Sequence, residues 1–250
     1  MSNLEQIQVD DLLVLGNAVP DELSDNRKSV CTAGYSKKYG LIRIYPVPPI
    51  APMNRWNIVS IPLEKNPKDT REESWKVQGS KAEWDKLHNK IKVLGQVSDR
   101  EEKMAILENL RNKYGAGCIE RVNEKKGSLA IIEPNILSCE IVARDDYEPS
   151  TQLTLESKEK FLTIKNYPVQ PRITYRCIDC KTKNPHNQQV VEWGIYEWIR
   201  QNPKEKWAEV WKNLHIGEEN YYTSFLVGNQ AQYRNAFLII SIFRLKLPKA

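Results

Sequence analysis

The sequence predicts an α+β fold made of two β-rich halves that a helical hairpin bridges. Strand-like runs separated by Gly, Pro and Asn fill the first part, two helix-start signatures follow, and strand-like runs then return. We expect residues 1–79 to form a small barrel-like part and residues 80–117 to form the hairpin. Residues 118–250 should form a mixed sheet with Trp-rich helices and C-terminal strands.

Four runs in the first part have the composition of strands and end at turn-forming residues. Proline cannot donate a hydrogen bond to a strand ladder, so Pro46, Pro48, Pro49 and Pro52 should end the third run. The short, even spacing of the four runs is typical of a small barrel or a strongly bent sheet. The runs are 12-LLVLG-16, 29-SVCTAGY-35, 41-LIRIYPV-47 and 56-WNIVSIPLE-64.

Two capping-box signatures predict the helices of the hairpin. In Ser80–Glu83 and in Ser98–Glu101, a serine precedes a glutamate by three residues, and the two side chains can satisfy each other's free amides at a helix start. Gly115 and Gly117 should end the second helix.

The last part reads as four strands, two helices and two further strands. The glutamine-rich run 187–201 should open one helix, and Asn202-Pro203 should start the next with asparagine as cap and proline in the first turn. The strands are expected at 128–134, 137–143, 160–167, 172–177, 221–227 and 237–247.

A Cys-x2-Cys pair followed by a histidine suggests a zinc site. Cys177 and Cys180 would offer two thiolates on one tight turn, and His186 could be the third ligand. Cys139, Cys118 and His215 are candidates for the fourth ligand, and none has a diagnostic spacing. The alternative is a pair of ordinary reduced cysteines with the histidine in a polar loop. A thioredoxin-like motif is less favoured, because no suitable helix begins at Cys180.

Two groups of acidic residues could hold a catalytic Mg²⁺ or Mn²⁺, as a metal-dependent nuclease requires. The first combines Asp69, Arg71 and Glu73 after a strand, and the second combines Glu133 and Glu140 around a short turn. A charge run in a loop is more often a solvated surface, and the second group lacks the acid-x-Lys spacing of such nucleases. Neither a phosphate-binding glycine loop nor a Gly-x-Ser-x-Gly elbow occurs in the sequence.

Positive charge is concentrated in three segments, although the net charge is only +5. Residues 27–63 contain no acid, residues 158–183 contain seven bases and two acids, and residues 221–250 contain no acid. Cations interleaved with aromatic rings suit nucleic acid, because cations neutralise phosphates and rings stack on bases. The alternative places the tyrosines in the core and the lysines in water. The residues predicted for the interface are Lys37, Lys38, Arg43, Tyr45, Arg55, Trp56, Lys165, Arg172, Arg176, Lys181 and Lys183.

The sequence therefore predicts a nucleic-acid-binding protein, with DNA or RNA as partner. A metal-dependent nuclease is the competing enzyme, and an adaptor that uses the acidic N-terminus to bind a protein partner is the third class. The first residues lack the positive charge of a secretory signal, and no apolar run reaches the length of a membrane span. Five cysteines with one close pair fit reduced thiols in the cytoplasm.

Overall fold

The computed structural model describes residues 4–115, 117–149, 161–180 and 182–248. The chain forms two compact units, and each unit takes two stretches of sequence. The first unit is Met1–Ser98 with Ser150–Asn166, and the second is Asp99–Pro149 with Tyr167–Ala250.

The first unit is built around a closed five-stranded barrel. Its ring runs β1-β3-β4-β6-β5 and returns to β1, with β4 and β6 as the parallel pair and the other neighbours antiparallel. The sequence β5-β1-β3-β4 around the ring is the Greek-key order. Outside the ring, β2 pairs with β3 and β7 pairs with β5. The strands are β1 (Gln6–Asn17), β2 (Asp21–Glu22), β3 (Lys28–Ser36), β4 (Gly40–Val47), β5 (Asn57–Lys65), β6 (Ser74–Val77) and β7 (Lys92–Gln96).

Strand alternation fills the barrel with aliphatic side chains. Ile42 and Ile44 of β4 are fully buried and meet Val59 and Ile61 of β5 in one core cluster. The long strand β1 serves two neighbours, because its first part pairs with β5 and its end pairs with β3. Irregular register in both pairings bends this strand, as barrel closure requires.

The two predicted helices of the hairpin both exist, but strand β7 lies between them. The first is a 3-10 helix, Lys81–Lys90, whose capping box joins Ser80 to Glu83 and whose Leu87 enters the barrel core. The second is α1 (Arg100–Tyr114), which belongs to the second unit and is capped by Asp99. The boundaries of the units therefore do not coincide with residues 79 and 117.

The second unit combines two three-stranded antiparallel sheets with helices. One sheet has the order β11-β10-β9 and the other β13-β12-β8, and a bridge between Val190 and Ile239 connects them. Its further elements are α2 (Ile119–Glu124), β8 (Leu129–Ile132), β9 (Pro134–Ala143), β10 (Val169–Cys177), β11 (His186–Gln189), α3 (Trp193–Gln201), α4 (Glu209–Asn213), β12 (Tyr221–Asn229) and β13 (Phe237–Lys246).

The predicted α+β class is confirmed, with a barrel in the N-terminal half and a mixed sheet with helices in the C-terminal half. Several local predictions were wrong. Asp99, not Ser98, caps α1, and the helix expected from Asn202-Pro203 begins only at Glu209, after a 3-10 turn, Lys204–Lys206. The strand expected at 160–167 is replaced by a 3-10 turn, Ile164–Asn166. This turn forms because the Asn166 side chain accepts hydrogen bonds from the amide and hydroxyl of Thr163. Lys160 lies outside the described residues. The helix expected from residue 187 begins at Trp193, since His186–Gln189 pairs with β10 as a strand.

Within the described ranges, no helix is both long enough and apolar enough to cross a membrane.

Gly34 of β3 is tightly enclosed, and we expect Gly34→Ala to destabilise the barrel. A Cβ atom there would lie 2.8 Å from the carbonyl oxygen of Leu13 and 2.9 Å from Leu12 Cδ1, and a backbone oxygen cannot move aside cheaply. The expected cost is about 1–3 kcal/mol of unfolding free energy, measured by urea denaturation.

Gly95→Ala in β7 is the matched control, because a Cβ there meets nothing within 4 Å. Equal denaturation midpoints for the two variants would contradict this account of the barrel.

Candidate metal centre

Three cysteines and one histidine converge in the second unit. Cys118 is the N-cap of α2, Cys177 ends β10, Cys180 lies in the following turn, and His186 begins β11. Their ligand atoms all lie within 4.8 Å of one another. The centre therefore joins the start of a helix to both ends of a β-hairpin loop.

Strand alternation explains why these side chains meet. Tyr175 of β10 is fully buried, so Cys177, two residues further on, points to the same core side of the sheet. His186 lies directly opposite Tyr175 in the antiparallel register and shares that side. The helix start that carries Cys118 packs in the same core, where Cys118 and Cys177 are each 3% exposed.

The distances within the centre are short. The Sγ atoms of Cys118 and Cys180 are 3.9 Å apart. The Nε2 atom of His186 lies 3.6 Å from Cys118 Sγ and 3.3 Å from Cys180 Sγ. A group of two thiols and one imidazole at these distances, with Cys177 beside it, can hold one metal ion.

The turn between the two close cysteines is fixed by backbone contacts. The amide of Cys180 donates to the carbonyl of Cys177 at 3.0 Å, and the amide of Asp179 donates to the carbonyl of Gly117 at 3.3 Å. Gly117 has φ +65°, and a Cβ atom on it would lie 2.6 Å from Asp179 Oδ2. Glycine is favoured next to Cys118 because of this positive φ, whereas the Asp179 carboxylate could move aside.

The thiols differ in how easily they lose a proton. Burial raises the pKa of Cys177 to about 12 and also raises that of Cys118. Burial acts in the same direction on Cys180, but hydrogen bonds from the Thr182 hydroxyl and amide outweigh it and lower the pKa of Cys180. Cys180 is therefore the thiol best prepared to become a thiolate.

Burial also lowers the pKa of His186, and the Arg176 charge acts in the same direction, while Glu120 opposes both. The imidazole is neutral at neutral pH as a result, and neutral imidazole is the form that binds metals.

Cys118 is the fourth member that the sequence left open among three candidates. Cys139 lies in β9, where burial raises its pKa to about 11, and it is outside the converging group. His215 instead stacks on Tyr221 and contacts Glu218 Oε1 through its Nδ1 atom at 2.9 Å. The 58 residues between Cys118 and Cys177 carry no periodic signal, so only the fold shows which candidate takes part.

The acidic groups predicted for a nuclease are divided between the two units. Asp69 accepts from Arg71 Nη2 at 2.5 Å and from Ser74 Oγ at 2.7 Å, and Glu73 lies nearby in the same loop of the first unit. Glu133, in the second unit, pairs with Arg111 at 2.6 Å, and Glu140 is exposed on β9. Among the described residues, the only group of three or more metal-ligating side chains is the one at Cys118.

Only some of the basic and aromatic residues that were predicted for a nucleic-acid interface in the first unit are exposed. Lys37 and Lys38 are exposed in the β3–β4 turn, and Lys165 is exposed as well. Arg43 is only 4% exposed, and its Nη1 contacts the Cys31 sulfur at 3.6 Å. The remaining three are half-buried: Tyr45, Arg55 and Trp56. Arg43 is therefore not available to a phosphate in this structure.

In the second unit, the predicted cations lie on β10 and on the loop that follows it. Arg172 and Arg176 occupy the solvent side of β10, opposite to the side that carries Cys177. Lys183 is exposed in the loop before β11, and Lys181 lies outside the described residues. Arg176 donates from Nη1 to the Thr182 carbonyl at 3.0 Å and from Nη2 to the Lys183 carbonyl at 3.1 Å. One arginine thus holds the loop that carries the candidate metal ligands.

Two family models match the chain. Residues 8–109 match the model described as Domain of unknown function (DUF8758), and residues 117–250 match the one described as Domain of unknown function (DUF8757). No curated protein matches the chain. Neither description names an activity.

The Asp69 carboxylate is expected to stabilise the first unit. Burial alone would raise its pKa, but hydrogen bonds from Arg71 and Ser74 hold the pKa at about 2, below the ordinary 3.8. Its contribution should therefore be complete above about pH 4 and be lost as the pH falls towards 2. Asp69→Asn should lower the unfolding free energy at pH 7 by about 2 kcal/mol, measured by urea denaturation.

The exposed neighbour Glu72 provides the control, and Glu72→Gln should leave stability unchanged. Unchanged or raised stability in Asp69→Asn would instead favour an acid kept for catalysis.

Proposed function

The chain belongs to the family described as Domain of unknown function (DUF8757), and from this premise we propose that its second unit binds one zinc ion through Cys118, Cys177, Cys180 and His186.

The spacing of the ligand atoms is the observation that carries the proposal. A tetrahedral zinc ion with Zn–S bonds of about 2.3 Å and Zn–N bonds of about 2.0 Å separates two sulfurs by about 3.8 Å and a sulfur from a nitrogen by about 3.5 Å. The corresponding separations here are 3.9 Å for the two sulfurs and 3.6 and 3.3 Å for sulfur to nitrogen. One ion can therefore contact Cys118, Cys180 and His186 at these separations, and the Cys177 sulfur, within 4.8 Å of the other ligand atoms, is close enough to be the fourth ligand.

The ligand set favours a structural ion over a catalytic one. Three thiolates and one imidazole complete the tetrahedral shell of zinc, whereas catalytic zinc sites keep one position open for water or substrate. Soft thiolate ligands also favour zinc over magnesium, calcium or manganese, which prefer oxygen. Zinc binds cysteines that are not joined in disulfides, and none of the five cysteines is in a disulfide. They suit the reducing compartment that the sequence predicts.

Zinc binding should depend on Cys118 and should stabilise the second unit. Purified protein should carry about one zinc per chain by elemental analysis, because structural zinc binds tightly. Cys118→Ser should lose the ion, and chelation of the wild type should lower the melting temperature by several degrees. Tetrahedral thiolate coordination can be checked independently by the visible absorption of Co²⁺ in the same centre.

Cys139→Ser is the matched control, since Cys139 is a half-buried cysteine in the same sheet but outside the centre. It should retain zinc and respond to the chelator as the wild type does. Wild-type protein that takes up neither Zn²⁺ nor Co²⁺ would end the proposal.

Nucleic-acid binding is the second candidate function, and the solvent side of the zinc-linked sheet favours it. We call this surface the polar face; it comprises Arg172, Thr174 and Arg176 of β10, Ser138 and Glu140 of β9, and Asn187 of β11. Glu140 is its one acid, and exposed Lys183 adjoins it. The excess of positive charge is complementary to phosphates.

The barrel gives this candidate weaker support. Five-stranded Greek-key barrels include domains that bind oligonucleotides on the outer side of neighbouring strands. Here the outward side of β4 carries Arg43, which is covered. The exposed Lys37 and Lys38 in the β3–β4 turn are the part of the first unit that could still contact a phosphate. For this reason we place the principal interface on the polar face.

Loss of two cations from the polar face should weaken binding and reduce its salt dependence. Arg172→Gln combined with Lys183→Gln leaves Arg176 and the loop intact. Each lost phosphate contact should make the slope of log K against log salt shallower by about 0.9 on duplex, so the pair should change it by about 2. Fluorescence anisotropy of a labelled oligonucleotide at several salt concentrations measures both quantities.

Lys204→Gln combined with Lys212→Gln removes the same charge from exposed positions elsewhere in the second unit and should leave binding unchanged. If both double variants weaken binding equally, the polar face has no special role.

A further inference from the structure

The polar face has no aromatic side chain on which a base could stack. β10 carries one aromatic residue, Tyr175, and strand alternation turns it into the core, where it is 0% exposed and donates to Gln188 Oε1 at 2.8 Å. β9 and β11 contain no aromatic residue other than the His186 ring, which faces the metal centre. Proteins that bind single strands gain about 1–3 kcal/mol for each base stacked on an aromatic side chain. This surface cannot provide that contribution.

The groups that the polar face does present are those that contact phosphates. Two guanidinium groups, two hydroxyls and one amide lie on neighbouring strands in register, with Arg172 opposite Glu140 and Thr174 opposite Ser138 and Asn187. Arginine, serine, threonine and asparagine side chains account for much of the phosphate contact in protein–DNA complexes. The donor set thus suits a sugar–phosphate backbone.

The two arginines are also held in place before any ligand arrives. Arg172 donates from Nε to Asn187 Oδ1 at 2.5 Å and from Nη2 to the Asn187 carbonyl at 3.0 Å, and Asn187 donates to Thr174 Oγ1 at 3.0 Å. Arg176 is fixed by the loop carbonyls of the metal centre. Four residues of strand separate the two Cα atoms by about 13 Å. Fixed cations at a fixed spacing match a ligand whose phosphates are themselves rigidly spaced.

From these observations we infer that the polar face binds double-stranded nucleic acid through its phosphate backbone. A duplex offers two phosphates for each 3.4 Å of its axis in a stiff arrangement, and its bases are already stacked on one another. A single strand has half that charge density and must order itself on the surface without any stacking contact in return. The inference rests on the nucleic-acid binding proposed above and specifies the ligand of that same surface.

The test compares a labelled 20-base-pair DNA duplex, a duplex RNA of the same sequence and each DNA strand alone. All are titrated with the zinc-loaded 250-residue chain at low salt, with fluorescence anisotropy as the readout. We expect at least one duplex to bind about tenfold more tightly than the single strands. Arg172→Gln/Lys183→Gln should remove most of this difference, whereas Lys204→Gln/Lys212→Gln should preserve it. The DNA and RNA duplexes show which helix the face accepts.

The two proposals fail in different ways. Single strands that bind as tightly as the duplexes, with the same loss of affinity in Arg172→Gln/Lys183→Gln, would overturn the duplex inference and leave nucleic-acid binding in place. The absence of binding to any of the four ligands would overturn nucleic-acid binding itself. A duplex preference that the polar-face variant does not reduce would assign duplex binding to another surface and overturn the inference for this one.

Discussion

Successive side chains of a β-strand point to opposite sides of its sheet, and the second unit depends on how β10 uses this constraint. The core side receives Ile173, Tyr175 and Cys177, so the strand places a candidate metal ligand at the end of a hydrophobic row. The solvent side receives Arg172 and Arg176. A shift of one residue in register would exchange the two sets and bury both charges.

Arg176 connects the two sides of this sheet. Its backbone belongs to the strand that ends at Cys177, while its guanidinium holds the carbonyls of Thr182 and Lys183 in the loop between Cys180 and His186. The loop has little apolar surface to bury, since Ile178 is 62% exposed. Its conformation therefore depends on hydrogen bonds from outside the sheet and on the ligand cluster inside it, and a change at either place should reach the other.

The local pattern of the sequence was sufficient for the close part of the centre and insufficient for the distant part. Cys-x2-Cys followed by a histidine encodes its own turn, so three members could be identified from spacing. Cys118 joins them only because α2 packs in the same core as β10. That packing is a tertiary contact, which the local sequence pattern does not encode. For Arg43 the local prediction was correct and the predicted exposure was wrong. Its strand was predicted correctly, but the solvent exposure of its side chain depends on what covers the outer side of β4. For Tyr175 the alternative reading of the tyrosines holds, because its ring lies in the core.

The first unit is formed by two separate stretches of the chain, so its contacts cannot all form at the same stage of synthesis. Lys28 donates to the Phe161 carbonyl at 2.6 Å, and Ile164 donates to the Pro20 carbonyl at 2.7 Å. A nascent chain that has just completed β7 therefore still lacks contacts that its barrel will make. By the time residue 166 leaves the ribosome, β8 and β9 have already emerged, and β9 still awaits its partner β10. The barrel's final contacts and the pairing of β9 with β10 thus become available within a few residues of each other.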